Sequence, residues 1–330
     1  MAKVVRFHEV GGPEVLRIED VEIPPPGKGE VQIRIHALGL NRAESMFRMG
    51  RYVSEPRLPA RPGYEAAGTV AAIGQGVTGF KVGDAVSVVP GFEMNDYGVY
   101  GELANVPAAV VAHHPPGLSW VDAAAVWMQY VTAYGALIDI AKIKADDTVV
   151  IPAASSSVGL AAIQITKRVG AIPIALTRGR AKKQQLIDAG AAHVIVTDEQ
   201  DLVAQIMAIT GGKGAKVVFD PVGGPTIVKL TQAMERFGIL FVYGALSPEP
   251  TPLPLLHVLV NGLTIRGYSL MEVTTDPPRL ERAKRFINEG LADGSLKPIV
   301  DRTFPFEQIV EAHRYLESNQ QFGKIVVTVP

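Results

Sequence analysis

The 330-residue sequence contains no cysteine. This absence excludes disulfide bonds, thiolate nucleophiles, iron–sulfur clusters and every zinc site that has a thiolate ligand. The sequence therefore carries no mark of an oxidising compartment.

The sequence also lacks an excess of basic residues. Lysine and arginine number 32 against 33 aspartates and glutamates, so the formal net charge is -1. Binding to a nucleic-acid backbone depends on clustered basic residues. We therefore expect no nucleic-acid partner.

No segment is typical of a membrane span or of a secretory signal. The longest uncharged candidate, residues 148–166, contains Pro152 and three consecutive serines, which predicts a buried strand followed by a polar loop. The amino terminus, Met1–Arg6, lacks an apolar block and a small-residue cleavage site. We expect a cytoplasmic protein without a membrane segment.

The length and the composition are those of a folded protein with about two domains. Up to about Asp122, short alternating runs such as Val31–His36 are separated by glycine and proline, which predicts strands. The stretch from Gly63 to Gly83 carries six glycines, a density that suits tight turns between strands. This part of the chain is therefore expected to be rich in β-structure.

After Asp122 the apolar period changes from two to 3.6, and strands alternate with helices. Such alternation predicts a parallel sheet with helices on both faces. The predicted elements are strand Thr148–Ile151, helix Val158–Val169, strand Ile172–Leu176, helix Ala181–Ala189, strand His193–Val196, helix Asp201–Ile209, strand Lys216–Asp220, helix Thr226–Arg236 and strand Gly238–Tyr243. A last segment from Leu270 adds helices Arg279–Glu289 and Phe306–Ser318 and strand Lys324–Val329.

The first strand of this second part leads through a serine-rich loop into a helix, where a dinucleotide pyrophosphate would sit at the helix N-terminus. Gly159 allows close packing of helix and strand, while Ser156 and Ser157 stand where small flexible residues are usual. Their hydroxyls could donate to phosphate oxygens. Serine is also a preferred N-cap, so a simple capping loop explains the same residues equally well.

The second strand ends at Thr177 and Arg178, where an enzyme that uses NAD would carry an acidic residue for the ribose hydroxyls. Positive charge there favours a 2′-phosphate and hence NADP. The alternative is that Arg180, Lys182 and Lys183 form only the solvated face of a helix. Arg178, in the strand-to-helix turn, is the stronger candidate.

Glycines also mark the ends of the fourth and fifth strands, in Phe219–Gly224 and Gly238–Gly244. In an open α/β sheet, ligands bind outside the carboxyl ends of the strands. The glycines could equally be ordinary turn residues.

These features, together with Asn41, Arg61–Gly68, Phe80–Asp84 and Phe219–Gly224, resemble the zinc-free quinone oxidoreductases and enoyl reductases of the medium-chain dehydrogenase/reductase superfamily along essentially the whole chain. The resemblance implies an α/β fold. It also implies NADPH-dependent reduction of a quinone or of the C=C bond of an α,β-unsaturated carbonyl compound.

The resemblance also implies two domains. A GroES-like, β-rich catalytic domain would take residues 1–122 and 270–330. A Rossmann domain, with a doubly wound parallel sheet that binds NADP, would take residues 123–269.

The resemblance further implies that the catalytic zinc of other superfamily members is absent. Those relatives carry a cysteine ligand and a Gly-His-Glu motif, whereas here Tyr64 stands between Gly63 and Glu65. The region Val89–Glu102 has neither the cysteines nor the length of the lobe that holds a second zinc. We expect no metal, and for Glu65 we expect a buried turn rather than a catalytic role.

Two residues match the catalytic positions of the zinc-free branch. Asn41 stands where an asparagine contacts the nicotinamide side, and Tyr52 matches the proposed proton donor of the related enoyl thioester reductases. Met46 replaces a tyrosine that is common in quinone reductases. An aromatic residue that merely covers its loop is the alternative for Tyr52.

Lys182 matches a lysine that holds the 2′-phosphate in quinone reductases, while Thr197 stands where a tyrosine would be. Thr132 matches a threonine on the helix that lies against the nicotinamide. The full set of predicted NADPH contacts is Asn41, Thr132, Ser156, Ser157, Val158, Gly159, Thr177, Arg178, Lys182, Val222, Gly244, Ala245, Leu270, Asn319 and Lys324.

The apolar run Leu255–Val260 is interpreted as a strand that ends near Leu263–Tyr268. It predicts that the Rossmann sheet pairs with its copy across a two-fold axis, giving a homodimer. Besides a small-molecule reductase, two other functions stay open. One is a zinc-free alcohol or sugar dehydrogenase, and the other is a non-catalytic NADPH-binding sensor or scaffold.

Overall fold

The computed structural model describes residues 1–114 and 117–330. The strands, numbered along the chain, are β1 (Ala2–Arg6), β2 (Arg17–Val21), β3 (Glu30–Leu40), β4 (Glu65–Ile73), β5 (Ala85–Val88), β6 (Leu103–Pro107), β7 (Val111–His113), β8 (Thr148–Ile151), β9 (Ile172–Thr177), β10 (His193–Val196), β11 (Ala215–Asp220), β12 (Met234–Val242), β13 (Thr264–Gly267), β14 (Val300–Pro305) and β15 (Lys324–Thr328).

The helices are α1 (Arg42–Arg48), α2 (Met94–Tyr97), α3 (Trp120–Ala123), α4 (Trp127–Tyr134), α5 (Ser157–Arg168), α6 (Lys183–Asp188), α7 (Leu202–Ile209), α8 (Thr226–Gln232), α9 (Leu255–Asn261), α10 (Met271–Thr274), α11 (Pro277–Ala292) and α12 (Ile309–Glu317). Within the described ranges no helix is both long enough and apolar enough to cross a bilayer.

The chain folds as two compact units. The first contains Met1–Met128, Val273–Ala292 and Lys297–Pro330, and the second contains Gln129–Glu272 and Asp293–Leu296. Both ends of the chain therefore belong to the first unit. The boundaries predicted from the sequence, after residue 122 and before residue 270, stay a prediction.

The first unit is built around a seven-stranded sheet that follows the order β14-β15-β3-β4-β5-β7, with β6 also paired to β3. The long strand β3 alternates as the sequence predicts, with Val31, Ile33 and Ile35 buried. It pairs antiparallel with β15, β4 and β6. The carboxyl-terminal strand β15 thereby lies beside residues from the first fifth of the chain.

The second unit contains a six-stranded, wholly parallel sheet in the order β10-β9-β8-β11-β12-β13. This is the order of a doubly wound dinucleotide-binding sheet, and the winding direction reverses between β8 and β11. The reversal opens a crevice at the carboxyl ends of these two strands. The predicted fold class, a β-rich domain with a Rossmann domain, is confirmed.

Two predicted elements are wrong. The helix predicted to reach Arg236 ends at Gln232, because Met234 already begins β12 and pairs with Ala215. The run Leu255–Val260 is not a strand but lies in helix α9, which begins after Pro254 and ends at Gly262 in the left-handed conformation. At this edge of the sheet the last strand is instead β13, Thr264–Gly267. It lies within Leu263–Tyr268, where the predicted strand was expected to end.

Candidate active site

The loop between β8 and α5 contains the predicted serines. Ser156 is the N-cap of α5, and its Oγ accepts a hydrogen bond from the backbone N–H of Gly159 at 3.1 Å. Ser157 and Val158 occupy the first turn of the helix. A serine hydroxyl that accepts at a cap still has its own hydrogen to donate. Capping and phosphate binding are therefore compatible at Ser156.

Gly159 lets this loop lie directly against the helix. A Cβ atom at this position would lie 2.7 Å from both the Cα and the carbonyl oxygen of Ala154. Any larger side chain would have to push the loop away, since real Cβ atoms do not approach backbone so closely. This close packing of loop and helix is what the glycine of a dinucleotide-binding loop permits.

The end of β9 lies beside the serine loop. The N–H of Ala154 donates to the carbonyl of Leu176 at 3.3 Å, and Lys182 Nζ lies 3.4 Å from Ser155 Oγ. Thr177 is the last residue of β9, and its carbonyl accepts from the N–H of Thr197 at 2.8 Å. The structure thus brings Lys182 and the serine loop together at one corner of the sheet.

Arg178 follows β9 directly and is exposed. Its neighbour Arg180 is paired with Glu199 at 2.5 Å, whereas Arg178 has no ion-pair partner within residues 1–114 and 117–330. A guanidinium in this state can bind an anionic group without first giving up a carboxylate. The predicted cationic corner therefore consists of Arg178 and Lys182.

The turn after β11 is held by Asp220. Its buried carboxylate accepts hydrogen bonds from the N–H groups of Val222 at 2.8 Å and Gly223 at 3.0 Å. Burial raises the pKa of Asp220, and the two N–H groups oppose that rise. Gly223 and Gly224 adopt φ values of 67° and 66°, a conformation that glycine enters without strain.

The turn after β12 packs on the turn after β11. A Cβ atom at Gly244 would lie 2.6 Å from the carbonyl oxygen of Pro221, so the two backbones touch. The N–H of Ser247 donates to the carbonyl of Val222 at 2.9 Å. The structure therefore brings together the turns that carry the predicted residues Val222 and Gly244, and the exposed Ala245 follows Gly244.

The remaining predicted residues of the second unit lie elsewhere. Thr132 is buried in α4, and Leu270 lies just before α10 and is half-buried.

In the first unit, Asn41 lies at the centre of a buried polar cluster at the start of α1. Its backbone N–H donates to Glu44 Oε2 at 2.7 Å, and its Nδ2 donates to Gly39 O at 3.1 Å and to Glu44 Oε1 at 3.2 Å. Its Oδ1 accepts from Lys324 Nζ at 2.5 Å. The two predicted residues Asn41 and Lys324 are therefore in direct contact.

Glu65 completes this cluster. Its Oε2 lies 2.5 Å from Lys324 Nζ, and both side chains are 0% exposed. Its Oε1 accepts from the N–H groups of Trp127 at 2.6 Å and Met128 at 3.1 Å, at the start of α4. We expected only a buried turn for Glu65, and the structure shows a buried ion pair that also satisfies a helix N-terminus.

Glu44 was not predicted as a functional residue. It is fully buried, and burial raises the pKa of its carboxyl to about 7, although Lys324 and the surrounding N–H donors lower it. Tyr64 also donates its backbone N–H to Glu44 Oε1 at 3.1 Å. The sequence signal was the asparagine at 41 followed three residues later by an acid, which is the spacing of a capping box.

Tyr52 lies in the loop after α1, next to Tyr64, with the ring centroids 6.2 Å apart. Burial raises the pKa of the Tyr52 phenol, and its hydrogen bond with Tyr64 lowers it in part. Tyr52 is thus protonated at neutral pH, as a proton donor must be. Through Tyr64 and Glu44 it is connected to the cluster around Asn41.

Asn319 contacts Arg42, the residue that follows Asn41 in the sequence. The Asn319 Oδ1 accepts a hydrogen bond from the Arg42 guanidinium at 2.5 Å. Across the described part of the chain, no group of three or more histidine, cysteine, aspartate or glutamate side chains is arranged to hold a metal ion.

Two family models match the chain. The model described as "Alcohol dehydrogenase GroES-like domain" matches residues 27–116. The model described as "Zinc-binding dehydrogenase" matches residues 157–288.

Curated and solved proteins are similar over nearly the full length. Quinone oxidoreductase 1 of Escherichia coli (strain K12) is 33% identical over 98% of this chain and 98% of its own. The crystal structure of Escherichia coli quinone oxidoreductase complexed with NADPH has a TM-score of 0.91 at 32% identity, covering 99% of this chain and 100% of the other. A structure titled as an NAD-dependent alcohol dehydrogenase also has a TM-score of 0.91 at 32% identity, with 99% and 100% coverage. The chain therefore belongs to the zinc-free quinone oxidoreductase branch of the medium-chain dehydrogenase/reductase superfamily.

Proposed function

We propose that this protein is an NADPH-dependent oxidoreductase that transfers hydride to a quinone or to the C=C bond of an α,β-unsaturated carbonyl compound. The observation that carries the proposal is the cationic corner of the parallel sheet, where Lys182 lies 3.4 Å from the serine loop and Arg178 has no carboxylate partner among the described residues. The NADPH complex of the Escherichia coli relative supports the choice of cofactor.

The residues at the carboxyl edge of the sheet fit such a cofactor. The first turn of α5, with Ser156, Ser157, Val158 and Gly159, would hold the pyrophosphate through backbone N–H groups and the Ser156 hydroxyl. The close approach of loop and helix at Gly159 is the cradle that this binding needs.

Other predicted contacts would bind the two ends of the cofactor. Arg178, which follows Thr177, and Lys182 would hold the 2′-phosphate. The turn that carries Val222 and the turn that carries Gly244 and Ala245 touch at Pro221, and these turns would border the nicotinamide. The proposal also keeps Thr132, Leu270 and Asn319 as cofactor contacts, and Asn41 on the nicotinamide side.

The bound cofactor supplies the hydride. For an enone, hydride adds to the β-carbon, and the α-carbon then takes a proton, which Tyr52 or water delivers. Hydrogen-bond donors near the carbonyl oxygen would stabilise the enolate that forms on the substrate. A quinone needs one hydride and one proton to give the hydroquinone, and both hydrogens end on oxygen.

An alcohol dehydrogenase activity is the second candidate, since a structure with that title is as similar as the quinone oxidoreductase structure. Activity assays distinguish the two candidate functions. The first predicts reduction of quinones or enones with NADPH, and the second predicts oxidation of alcohols with NAD. Tight NADPH binding without turnover of any acceptor would instead favour a sensor or scaffold.

Replacing Arg178 by alanine tests the cofactor assignment. We expect Arg178→Ala to raise the Kd of NADPH by roughly tenfold to a hundredfold, because a charge-assisted pair with the 2′-phosphate is lost. The Kd of NADH, which has no such phosphate, is expected to stay unchanged. Fluorescence titration of both nucleotides measures the effect.

Arg180→Ala is the matched control. It also removes one positive charge, two residues from Arg178, but the Arg180 guanidinium already pairs with Glu199. Its NADPH affinity is expected to change by no more than about twofold, as for an exposed pair. Equal losses in both variants would contradict a specific role for Arg178.

Replacing Tyr52 by phenylalanine tests the proton donor. We expect Tyr52→Phe to lower kcat for a 2-enone by about a hundredfold, because carbon needs a positioned acid. Quinone turnover is expected to change little, because oxygen exchanges protons rapidly with water. NADPH oxidation is followed spectroscopically with both acceptors, and Tyr315→Phe, whose phenol bonds Asp301, is the control. Unchanged enone turnover would assign the proton to water.

We also propose a homodimer. Helix α9 exposes Leu255, Leu256, Leu259 and Val260 at 55%, 74%, 66% and 71%. These residues form one apolar face next to the sheet edge at β13, and such patches commonly mark interfaces.

Replacing both Leu256 and Leu259 by aspartate is expected to convert a dimer into single chains, because charges would have to be buried at the interface. Sedimentation equilibrium measures the mass. Ile187→Asp, on the exposed side of α6, is the control and is expected to stay dimeric. A wild-type mass of one chain would exclude the dimer.

A further inference from the structure

The Asn41 amide is enclosed by charges of opposite sign. Its Oδ1 faces the ammonium of Lys324 at 2.5 Å, and its Nδ2 faces the carboxylate of Glu44 at 3.2 Å and the carbonyl of Gly39 at 3.1 Å. Turning the amide by 180° would place Nδ2 against an ammonium and Oδ1 against two acceptors. Each contact would change from attraction to repulsion, so one orientation of the amide is strongly favoured.

We propose that Glu44 and Lys324 are positioning residues that hold the Asn41 amide so that it meets the cofactor only as a hydrogen-bond acceptor. The proposal rests on the proposed function, in which Asn41 contacts the nicotinamide side of NADPH. Both N–H groups of the amide are already used inside the first unit, by Gly39 and Glu44. Asn41 therefore cannot donate to a ligand.

The matching ligand chemistry is a hydrogen-bond donor. The nicotinamide riboside part of the cofactor offers two kinds: the N–H groups of the carboxamide and the hydroxyls of the ribose. Either would be recognised by Asn41 Oδ1, whereas the carboxamide oxygen would be repelled. The proposal thus predicts that a hydrogen-bond donor of the cofactor, and not its carboxamide oxygen, faces Asn41.

The packing around Lys324 keeps its ammonium in place. A Cβ atom at Gly39 would lie 2.9 Å from Lys324 Cε, 2.9 Å from Glu65 Oε2 and 2.0 Å from the carbonyl oxygen of Ala124. The space beside the ammonium is therefore filled by β3 and the segment before α4. Because its side chain is 0% exposed, Lys324 acts through Asn41 in this proposal rather than by the direct NADPH contact predicted from the sequence.

Glu65 holds the other side of Lys324. Its carboxylate is anchored by the N–H groups of Trp127 and Met128, so the ammonium is fixed between a helix-bound carboxylate and the Asn41 amide. A charge held this way orients a neighbouring dipole with little reorganisation.

The titratable side chains around Glu44 are one lysine, one glutamate and three tyrosines. Lys324 on β15 is the cation, and Glu65 on β4 shares it. The phenols of Tyr52 and Tyr64 lie nearby, and burial raises the pKa of both above the ordinary value.

Tyr100, which also faces Glu44, has a phenol pKa raised by burial as well. All three phenols therefore keep their protons at neutral pH. Glu44 is consequently the acid of this cluster expected to titrate near neutrality, since its pKa is about 7.

The raised pKa of Glu44 predicts a pH dependence of stability. The folded chain holds the Glu44 proton up to about pH 7, whereas the unfolded chain releases it near the ordinary value of 4.5. Between these two values the folded state binds more protons, so stability falls as pH rises.

We expect the urea midpoint of the wild type to fall, relative to that of Glu44→Gln, as pH rises from 5 to 8. Glu102→Gln, which replaces a carboxylate that accepts the N–H of Lys3, is the control and is expected to track the wild type. If the difference between the urea midpoints of the wild type and Glu44→Gln is the same at pH 5 and pH 8, the raised pKa of Glu44 is contradicted.

The positioning role is tested with two cofactor analogues. In the 3-acetylpyridine analogue of NADPH a methyl group replaces the carboxamide NH₂, and a second analogue lacks the 2′-hydroxyl of the nicotinamide ribose. We expect the wild type to bind one of them about three- to tenfold more weakly than NADPH, the size of one lost neutral hydrogen bond. The analogue that is penalised identifies the donor.

The same ratio of Kd values is then measured in Glu44→Gln, Lys324→Met and the control Glu102→Gln. We expect it to fall towards one in the first two variants, because their Asn41 amide is no longer fixed, and to stay at the wild-type value in the control. The wild-type ratio is expected to be larger at pH 8, where Glu44 is ionised, than at pH 6. A purely structural role would weaken NADPH and the analogues alike.

An unchanged ratio in folded Glu44→Gln would overturn the proposal, and so would a wild type that does not distinguish NADPH from either analogue. If Lys324→Met does not fold, because Glu65 is left unpaired, Glu44→Gln decides alone. Failure of the wild type to bind NADPH at all would overturn the proposed function and this inference together.

Discussion

The buried ion pair between Lys324 and Glu65 is the interaction on which the first unit depends. Neither side chain has any exposed surface. Replacing one partner would leave the other charged and unpaired in an apolar interior, at a cost of about 3–5 kcal/mol. Because Lys324 begins β15, Glu65 begins β4 and Trp127 begins α4, the pair brings three distant parts of the chain to one point.

The two units place their charge in different ways. In the first unit the ammonium of Lys324 is paired with Glu65 and also acts electrostatically on Glu44, and both carboxylates are buried. In the second unit Arg178 and Lys182 stand at the carboxyl edge of an open sheet. The first arrangement orients an amide, and the second attracts an anion.

The sequence predicts strands β8 to β11 of the parallel sheet well, because each is a short, mainly apolar run that closes with proline or a polar residue. The predicted strands Thr148–Ile151 and His193–Val196 match β8 and β10 residue for residue. The run Leu255–Val260 was assigned wrongly because a short apolar run has no period that separates strand from helix. Pro254 before it and Gly262 after it were the local signals for a helix.

The candidate site was only partly accessible to the same reasoning. The serine loop and Arg178 are contiguous with strand ends, and their position follows from local pattern. The buried cluster is different, because Glu65 and Lys324 are 259 residues apart in the sequence. A lone acid and a lone lysine at the start of two apolar strands were the only signal. Their pairing depends on the register of β15 against β3, which a single sequence does not reveal.

The order of events during synthesis follows from where the chain ends lie. All six strands of the parallel sheet fall within Gln129–Glu272, so that unit has its full sheet before the last part of the chain is made. At about 5–20 residues per second, the 259 residues from Glu65 to Lys324 take roughly 13 to 52 seconds to translate. Throughout that time Glu65 has no cation to bury against. The first unit therefore receives its strand β15 only after all residues of the parallel sheet have been made.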